Sequence, residues 1–394
     1  MLRVATGLER IASSDDGVLS QLRGRKLGLC AHPASVDSRF SHARQVFDAQ
    51  GLTLVALFGP EHGYGGEAQD MISIRDVDAG DAPESLPVYS LYGSSEADLS
   101  PRPEQLEGLD AIVIDLQDVG ARYYTFVWTA VLILRAAAQR GVETIVLDRP
   151  NPLGGEILEG APQRRGYKSF VGLCDVPVRH GMTIGELCQM VQQQEGLDRE
   201  ALRVIPMLGY DRAMAFEDTG LPWVYPSPNM PTVDTARVYP GGCLLEATNL
   251  SEGRGTTKPF EVWGAPFVNA RELARRVQAE GIVLRPLSFS PTFHKHARER
   301  CFGVEVHMLD ARRARTYQLY LRLIAETRRL APEAFAWRSE PYEFVADRPA
   351  IDLLTGGPEF RQLVDQGGDL RDLLALDLRQ AMDFDQQRGG WLLY

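Results

Sequence analysis

The chain has 394 residues, of which 44% are hydrophobic and 24% are charged, and this composition excludes a disordered or fibrous protein. The length predicts about two domains. Acidic residues outnumber basic ones, 53 to 42, and the net charge of -11 argues against nucleic acid and membrane surfaces as partners.

The sequence is examined next for targeting segments. The first residues contain no apolar run of signal-peptide length, and no later segment has the ~20 apolar residues of a membrane-spanning helix. We therefore expect a cytoplasmic protein. The five cysteines include no C-x-x-C pair, so they are predicted to be buried free thiols. The one close histidine pair, at 294 and 296, is interpreted as a solvated turn, and no metal site is expected.

The first half alternates short apolar runs with helical segments. Strands are predicted at 26–30, 52–58, 111–116 and 144–147, and helices at 41–50 and 125–140. The apolar runs are continuous and do not alternate with polar residues, which is typical of strands buried on both faces of a parallel sheet. The fold class predicted for this half is a doubly wound α/β layer structure.

A proline-rich segment at 221–232 cannot continue a helix or a central strand, so a domain boundary is predicted there. The two domains are then 1–232 and 233–394. The second domain is expected to be a smaller mixed α/β unit with a mixed sheet. Its predicted elements are helices near 270–280 and 316–330 and a strand at 301–308.

Polar side chains follow three of the predicted strands. They are Glu61 and His62 after the second strand, Asp115, Gln117 and Asp118 at the end of the third, and Asp148, Arg149 and Asn151 after the fourth. In an open parallel sheet the binding crevice lies beyond the carboxyl ends of the strands, so these residues are predicted to share one site. Any single one could instead cap a helix or stabilise a turn.

The pair Glu61–His62 is flanked by glycines, which allow a tight turn and a close backbone approach. A carboxylic acid that is partly desolvated at a strand end can keep its proton near neutral pH and act as a general acid. The alternative is a turn in which Glu61 caps a helix or pairs with Arg122.

Two further segments suit a carbohydrate ligand. The stretch 115–125 combines Asp, Gln and Arg122 with two tyrosines, which match the hydroxyl groups and C–H faces of a sugar. Alternatively, Tyr123 and Tyr124 start the following helix and one of them packs in the core. The stretch 246–260 is interpreted as a loop over a ligand, or as a solvated loop with a weak Glu252–Arg254 pair.

No nucleotide motif is present. The glycines at 63–66 do not match G-x-G-x-x-G, the strand at 26–30 leads into a segment without glycine, and no phosphate-binding loop occurs. No cofactor is therefore expected. An NAD-dependent glycosidase or oxidoreductase is the first alternative function, and a non-catalytic muropeptide-binding sensor is the second.

Six motifs together resemble the NamZ-type exo-β-N-acetylmuramidase family, long described as a domain of unknown function. In chain order they are FGPEHG (58–63), DLQDVGAR (115–122), LDRPNP (147–152), RHGMTIGE (179–186), PSPNMPT (226–232) and SEGRGTT (251–257). The resemblance implies a Rossmann-like N-terminal domain that needs no nucleotide, a smaller C-terminal domain and an active cleft between them. It also implies removal of β-linked N-acetylmuramic acid from the non-reducing end of peptidoglycan fragments in cell-wall recycling, with Glu61 as the catalytic glutamate.

Muramic acid carries a lactyl carboxylate, so a cleft in an acidic protein must supply local cations. The arginines within the motifs are Arg122, Arg149, Arg179 and Arg254. A bidentate contact from Arg254 or Arg122 is expected to orient this carboxylate and to discriminate against N-acetylglucosamine.

The predicted mechanism has Glu61 protonate the leaving oxygen while His62 positions it. Asp118 or Glu252 is the second carboxylate, or the substrate's own acetamido group is the nucleophile. The predicted substrate-binding residues are Asp115, Gln117, Arg122, Tyr123, Asp148, Arg149, Asn151, Arg179, His180, Asn229 and Arg254. The partner is a small sugar substrate, and the sequence leaves the oligomeric state open.

Overall fold

The larger sheet has six parallel strands in a computed structural model that describes residues 4–69, 72 and 86–394. The strands are β1 (Lys26–Ala31), β2 (Thr53–Gly59), β3 (Val88–Ser90), β4 (Ala111–Asp115), β5 (Glu143–Leu147) and β6 (Leu202–Ile205). Their spatial order is β3-β2-β1-β4-β5-β6, and each neighbouring pair is parallel. The order reverses between β1 and β4, so the predicted Rossmann-like class is confirmed.

Helices cover both faces of this sheet. Those of the first half are α1 (Gly7–Ala12), α2 (Asp16–Leu19), α3 (Ala43–Ala49), α4 (Phe126–Ala138) and α5 (Ile184–Glu195). Successive strand residues point to opposite faces, so Leu27 and Leu29 pack in one buried cluster with Phe47 of α3. Ile112 packs in the other cluster, with Trp128 of α4. Both faces are therefore apolar, as the continuous apolar runs predicted.

A second, smaller sheet lies in the second half of the chain. Its strands are β7 (Val262–Ala265), β8 (Ile282–Phe289) and β9 (Cys301–Met308), in the order β7-β9-β8. All pairs are antiparallel, so the expectation of a mixed sheet is wrong. The connection from β8 to β9 is too short for the crossover that parallel neighbours need, and the two strands turn back on each other.

Six helices accompany this sheet among the described residues. They are α6 (Val233–Gly242), α7 (Ala270–Arg276), α8 (Thr316–Leu330), α9 (Ala350–Thr355), α10 (Glu359–Asp365) and α11 (Arg371–Arg388). Short 3₁₀ turns occur at Glu96–Leu99, Pro103–Gln105, Arg199–Ala201, Phe216–Thr219 and Cys243–Ala247. Every helix in the described part of the chain is too short or too polar to span a lipid bilayer.

Most predicted elements are confirmed. The helix at 316–330 and the strand at 301–308 match at both ends, and the four predicted strands of the first half agree within one residue. The proline-rich segment 221–232 contains no helix or strand, and α6 starts directly after it. All five cysteines are buried and free, as predicted.

Candidate active site

A cleft with about 460 Å³ of free space lies where the carboxyl edge of the parallel sheet meets the second half of the chain. The described residues that line it are Glu61, His62, Tyr123, Tyr124, Thr125, Val171, Ser227, Asn229, Met230, Tyr239, Glu246, Arg254, Phe260, Tyr342 and Glu343. Both halves of the chain contribute to its walls.

Glu61 reaches the cleft through a tight turn that follows β2. A Cβ atom on Gly59 would collide with the backbone of Tyr64, so the turn requires glycine at this position. The Glu61 side chain is 7% exposed. The hydroxyl of Thr125, which precedes α4, donates a hydrogen bond to Glu61 Oε2 over 2.5 Å. Glu61 therefore pairs with a neutral hydroxyl and not with Arg122.

His62 is held beside Glu61 by its own backbone and ring contacts. Its φ of 70° is in the left-handed region, which is uncommon for a residue other than glycine. Its Nδ1 lies 2.8 Å from the carbonyl oxygen of Ala68. A carbonyl oxygen can only accept, so Nδ1 carries a hydrogen and donates it to this oxygen.

The opposite wall of the cleft contains a buried guanidinium. Arg254 Nη2 lies 2.6 Å from Glu246 Oε1, and the hydroxyl of Tyr342 donates to Glu246 Oε2 over 2.7 Å. The guanidinium carbon is 5.3 Å from the centre of the Phe260 ring. These contacts fix the plane of the arginine side chain, which is the one Lys or Arg among the described residues lining the cleft.

Tyr123 and Asn229 also line the cleft, as predicted for a binding role. The Tyr123 hydroxyl donates to the carbonyl oxygen of Pro240 in α6, and its ring packs edge-on against Tyr239. Asn229 Nδ2 donates to Gln69 Oε1 over 2.8 Å. Both side chains are thereby held in place by groups from other segments.

Comparison with protein families shows which family the chain belongs to. The N-terminal domain profile of the exo-β-N-acetylmuramidase NamZ matches residues 27–234, and the C-terminal domain profile matches residues 237–394. The chain belongs to the NamZ family. The resemblance found in the six motifs is confirmed.

Individual relatives are similar to this NamZ-family chain over its full length. The peptidoglycan β-N-acetylmuramidase NamZ of Bacillus subtilis is 38% identical over 100% of this chain and 92% of the relative. A DUF1343 family protein of Bacteroides fragilis has the same fold, with a TM-score of 0.89, 32% identity and complete coverage of both chains. A second one from the same organism has a TM-score of 0.75 and 26% identity, over 100% of this chain and 99% of its own.

Glu252 does not line the cleft, and its expected catalytic role stays a prediction. Its carboxylate contacts Lys295 Nζ at 3.0 Å, His294 Nδ1 at 2.9 Å and Arg254 Nε at 3.3 Å. Burial raises the pKa of Glu252, but Lys295, His294 and Arg254 outweigh burial and hold this pKa well below its usual range. A carboxylate held as an anion in this way is suited to orienting Arg254 and not to exchanging a proton.

The segment 294–296 is not the solvated turn that the sequence suggested. Lys295 Nζ also donates to the carbonyl oxygens of Leu245 and Leu250, and His296 Nε2 lies 2.7 Å from the carbonyl oxygen of Asn249. These hydrogen bonds connect the segment to residues 245–250, which lead into the loop that carries Arg254, and so stabilise that loop.

Asp118 and His180 form a buried pair that lies outside the lining of the cleft, and the roles expected for them stay predictions. Asp118 Oδ2 accepts from the backbone N–H of Gly120 and lies 3.6 Å from His180 Nε2. The backbone N–H of Met182 donates to His180 Nδ1, so the ring proton is on Nε2. Burial raises the pKa of Asp118 to about 7 and lowers the pKa of His180 to about 3.

Asp115, Arg149 and Gln117 bind other protein groups at the sheet edge and do not line the cleft. Arg149 pairs with both carboxylate oxygens of Asp115, at 2.5 and 2.8 Å, and donates to the carbonyl oxygen of Val36. The Gln117 amide donates to the carbonyl oxygens of Asp118 and Pro150. Their expected contact with substrate stays a prediction, and their described partners are protein groups.

Asp148 and Asn151 stabilise the segment before α5. Asp148 accepts hydrogen bonds from the Thr183 hydroxyl, the backbone N–H of Gly185 and the Tyr394 hydroxyl. Burial nonetheless raises the pKa of Asp148 to about 7. Asn151 Nδ2 donates to the carbonyl oxygen of Met182, and Asn151 Oδ1 accepts from the backbone N–H of Leu153. The alternative of a capping or turn role holds for both.

Arg122 and Arg179 do not line the cleft, and their expected role in substrate binding stays a prediction. The Arg122 guanidinium is fully buried and donates to the carbonyl oxygens of Ala161, Val176 and Leu354. Arg179 donates to the carbonyl oxygen of Leu153 and lines a different cavity of about 550 Å³, where burial lowers its pKa to about 10. Among the four motif arginines, Arg254 is the one that lines the cleft within the described part of the chain.

Sequence reasoning missed Glu246, Tyr342 and Glu343 as cleft residues. Glu246 opens the 246–260 stretch that was interpreted as a loop over a ligand, so a weak signal was present. Tyr342 and Glu343 lie in no recognised motif, and only the fold brings them to the cleft.

Proposed function

We propose that this chain is a glycoside hydrolase that removes β-linked N-acetylmuramic acid from the non-reducing end of peptidoglycan fragments. Membership of the NamZ family and the full-length match to the Bacillus subtilis relative support this reaction. The observation that carries the proposal is the buried Glu61, held by the Thr125 hydroxyl in a cleft that also contains Arg254.

Glu61 is the general acid in this proposal. Thr125 donates to Oε2, so Oε1 is the oxygen that carries the proton toward the glycosidic oxygen. The bond between C1 and that oxygen then breaks, and its electron pair stays with the leaving oxygen as the proton arrives. A water molecule adds its oxygen to C1 and loses a proton, which restores the acid form of Glu61 for the next turnover. Because Glu61 is shielded from water, its proton is directed to the substrate.

Arg254 recognises the lactyl carboxylate that distinguishes muramic acid from glucosamine. Its contacts with Glu246 and the Phe260 ring pre-orient the guanidinium, so little rotamer freedom is lost on binding. Glu252, which lies outside the cleft lining, contacts Arg254 Nε and helps to hold the guanidinium in place. A substrate that lacks the lactyl group cannot form this contact with the Arg254 guanidinium.

Tyrosine rings supply the apolar surface for the sugar. Tyr123, Tyr124, Tyr239 and Tyr342 all line the cleft. Aromatic faces pack against the C–H groups of a pyranose ring, whereas Asn229 offers an amide for its hydroxyl or acetamido groups. This mixture suits a neutral sugar ring with one anionic substituent.

The five buried free cysteines support action in a reducing compartment. We place the enzyme in the cytoplasm, where it would act on small peptidoglycan fragments in cell-wall recycling.

The test uses a β-linked N-acetylmuramyl-N-acetylglucosamine disaccharide and chromatographic detection of released N-acetylmuramic acid. Glu61→Gln keeps the size and the hydrogen bond to Thr125 but removes the titratable proton, so kcat is expected to fall by about 10²–10⁴-fold. Melting temperatures of both proteins provide the folding control. A folded Glu61→Gln variant that releases the sugar at the parent rate would refute the proposal.

Two rival functions are separated in the same assay. The switch point of the sheet, where a dinucleotide would bind, is occupied by side chains, because His32 Nε2 accepts from the backbone N–H of Gln117 over 3.0 Å and both residues are buried. Added NAD is therefore expected to leave the rate unchanged. A muropeptide sensor would show calorimetric binding without product after long incubation.

A further inference from the structure

A second open cavity, the arginine groove, lies beside the first turns of α8 and has about 890 Å³ of free space. The described residues that line it are Ala279, Glu280, Arg312, Arg313, Arg315, Gln318, Leu319 and Arg322, and none of them lines the cleft that contains Glu61. Arginine is the commonest residue in this lining, although the chain as a whole has a net charge of -11. The groove is therefore a cationic surface on an acidic protein.

One wall of the arginine groove follows the helical repeat of α8. Arg315 directly precedes the helix, and Gln318, Leu319 and Arg322 come three, four and seven residues later, which is the spacing of one helix face. Leu319 is buried at the base of this face, whereas Arg322 is exposed. Two turns of helix, or roughly 10 Å, separate the attachment points of the two arginines.

Arg315 and Arg322 carry charge that is not neutralised by direct contact. Neither guanidinium makes a hydrogen bond or an ion pair with a residue in the part of the chain that the structure describes, and Nη1 of Arg315 is buried. A buried donor without an acceptor is unfavourable. An anionic ligand in the groove would supply that acceptor.

The carboxylate nearest to Arg315 is shared with another arginine. Glu159 lies 3.8 Å from Arg179 Nη1, and its Oε1 accepts a hydrogen bond from the backbone N–H of Gln318. Burial raises the pKa of Glu159, whereas Arg179 and Arg315 lower it. One carboxylate thus faces two guanidinium groups, so positive charge remains in excess at the groove.

The other two arginines of the groove have weak, exposed partners. Arg313 Nη1 lies 2.8 Å from Glu280, and both side chains are more than half exposed. Arg312 Nη2 lies 3.7 Å from Asp218, which is also on the surface. Exposed pairs of this kind contribute little free energy. Both guanidinium groups can therefore exchange these partners for a ligand at little cost.

We propose that the arginine groove binds a phosphorylated small molecule with at least two phosphate groups. A guanidinium presents parallel N–H donors that match phosphate oxygens. A phosphate ester carries about -1.5 to -2 charges at pH 7, so it offsets the repulsion of an acidic protein better than a carboxylate does. Arg315 and Arg322 bind the two phosphates, and the Gln318 amide lies between them. This site is independent of the proposed glycosidase function.

The experiment measures binding by isothermal titration calorimetry with a short linear polyphosphate, orthophosphate and an oligoglutamate of matched length. The linear polyphosphate is expected to bind about tenfold or more tightly than orthophosphate, because one molecule contacts both arginines. Its affinity is expected to fall as salt rises. Equal or tighter binding of oligoglutamate would overturn the assignment to phosphate, and a parent protein that binds no polyphosphate at low salt would overturn the site.

Variants locate the binding. Arg315→Gln and Arg322→Gln are each expected to weaken polyphosphate binding by about tenfold or more. Glu280→Gln removes a carboxylate from the lining and is expected to tighten binding by about 2–5-fold. The matched control is Arg379→Gln, which removes the same charge from an exposed position of α11 outside the groove and should change the affinity by less than about twofold. An equal loss in Arg379→Gln and the groove variants would show a general charge effect and overturn the proposal.

Thermal melting without ligand follows the folding of each variant, and Arg322 is exposed, so its substitution is expected to be tolerated. If Arg315→Gln does not fold, Arg315→Lys replaces it, since a lysine keeps the charge but loses the guanidinium fork, and binding is expected to weaken by about fivefold or more. Unchanged binding in Arg322→Gln counts against the proposal. Release of N-acetylmuramic acid from the disaccharide should keep the parent kcat in all these variants, which separates this site from the cleft.

Discussion

Glu61 and Glu252 look alike in the sequence but have opposite surroundings in the structure. Each has glycine close by, and both are buried, at 7% and 0% exposure. Glu61 has a neutral hydroxyl as its partner and lines the cleft. Glu252 contacts Lys295, His294 and Arg254 and lies behind the cleft wall.

The comparison shows that burial alone does not make a carboxylate a proton donor. Desolvation favours the protonated acid, whereas adjacent cations favour the anion. The same side chain can therefore be a candidate acid at one position and a fixed counter-ion at another. Each prediction below alters one side of this difference, starting with the largest expected effect.

Removal of the Glu252 carboxylate is expected to destabilise the fold. Glu252→Ala leaves the Lys295 ammonium beside a buried gap, and breaking a buried ion pair in this way costs about 3–5 kcal/mol of unfolding free energy. Urea unfolding measures the change. Glu299→Ala, which removes an exposed glutamate from the same connection between β8 and β9, is the control and is expected to change stability by less than about 0.5 kcal/mol. Equal midpoints for both variants would contradict the role of Glu252.

Asp118 is expected to make the stability of the fold depend on pH near neutrality, whereas Glu252 stays ionised in this range. Burial raises the pKa of Asp118 to about 7 in the folded chain, above its value when unfolded. Below about pH 4 both states hold the proton, and from there to about pH 7 only the folded state does, so stability falls as the pH rises. This fall is at most about 4 kcal/mol.

Asp118→Asn is expected to remove this component. Unfolding free energies measured at pH 5, 6, 7 and 8 should decline less steeply in the variant than in the parent. Parallel curves for the two proteins would show that Asp118 does not titrate in this range.

Arg254→Lys tests the cation on the opposite wall of the cleft. A lysine keeps the charge but loses the planar, bidentate guanidinium, so KM for the muramyl substrate is expected to rise by about 10–100-fold. Hydrolysis of the matching N-acetylglucosamine substrate, which has no lactyl group, serves as the internal control and should be unchanged. A loss of the same size on both substrates would mean that Arg254 does not read the lactyl carboxylate.

Thr125→Val removes the hydroxyl that holds Glu61 and is expected to have the smallest effect. Loss of one hydrogen bond to the acid should lower kcat by about 5–20-fold without a large change in KM. Thr129→Val, one turn further along α4, is the matched control, because Thr129 does not line the cleft. If both variants lose the same activity, the effect comes from the helix and not from Glu61.

Much of the fold could be predicted because hydrophobic patterns are local. The apolar runs identify β1, β2, β4 and β5 within one residue, and the amphipathic period identifies α8 at both ends. The three-residue strand β3 has too few residues to show a pattern. The helix α11 was missed because few of its residues are buried, so its sequence is mostly polar.

The site could be predicted only in part. Glu61, His62, Tyr123, Asn229 and Arg254 were selected from the sequence and line the cleft.

Asp115 and Arg149 were selected by the same rule but bind each other, because charge type cannot distinguish a ligand contact from an internal ion pair. Glu343 had no local signal. Its place depends on a turn whose backbone angles are unfavourable for its sequence and are set by tertiary contacts.

The burial of all five cysteines makes this protein convenient for spectroscopic labelling. Burial raises the pKa of Cys174 and of Cys301 to about 11, so both are neutral thiols at pH 7 and react slowly with maleimides. A single cysteine introduced at the exposed position 340 would therefore carry a fluorophore selectively, just before the turn that bears Glu343. Its emission could report ligand entry in real time without removal of the native thiols.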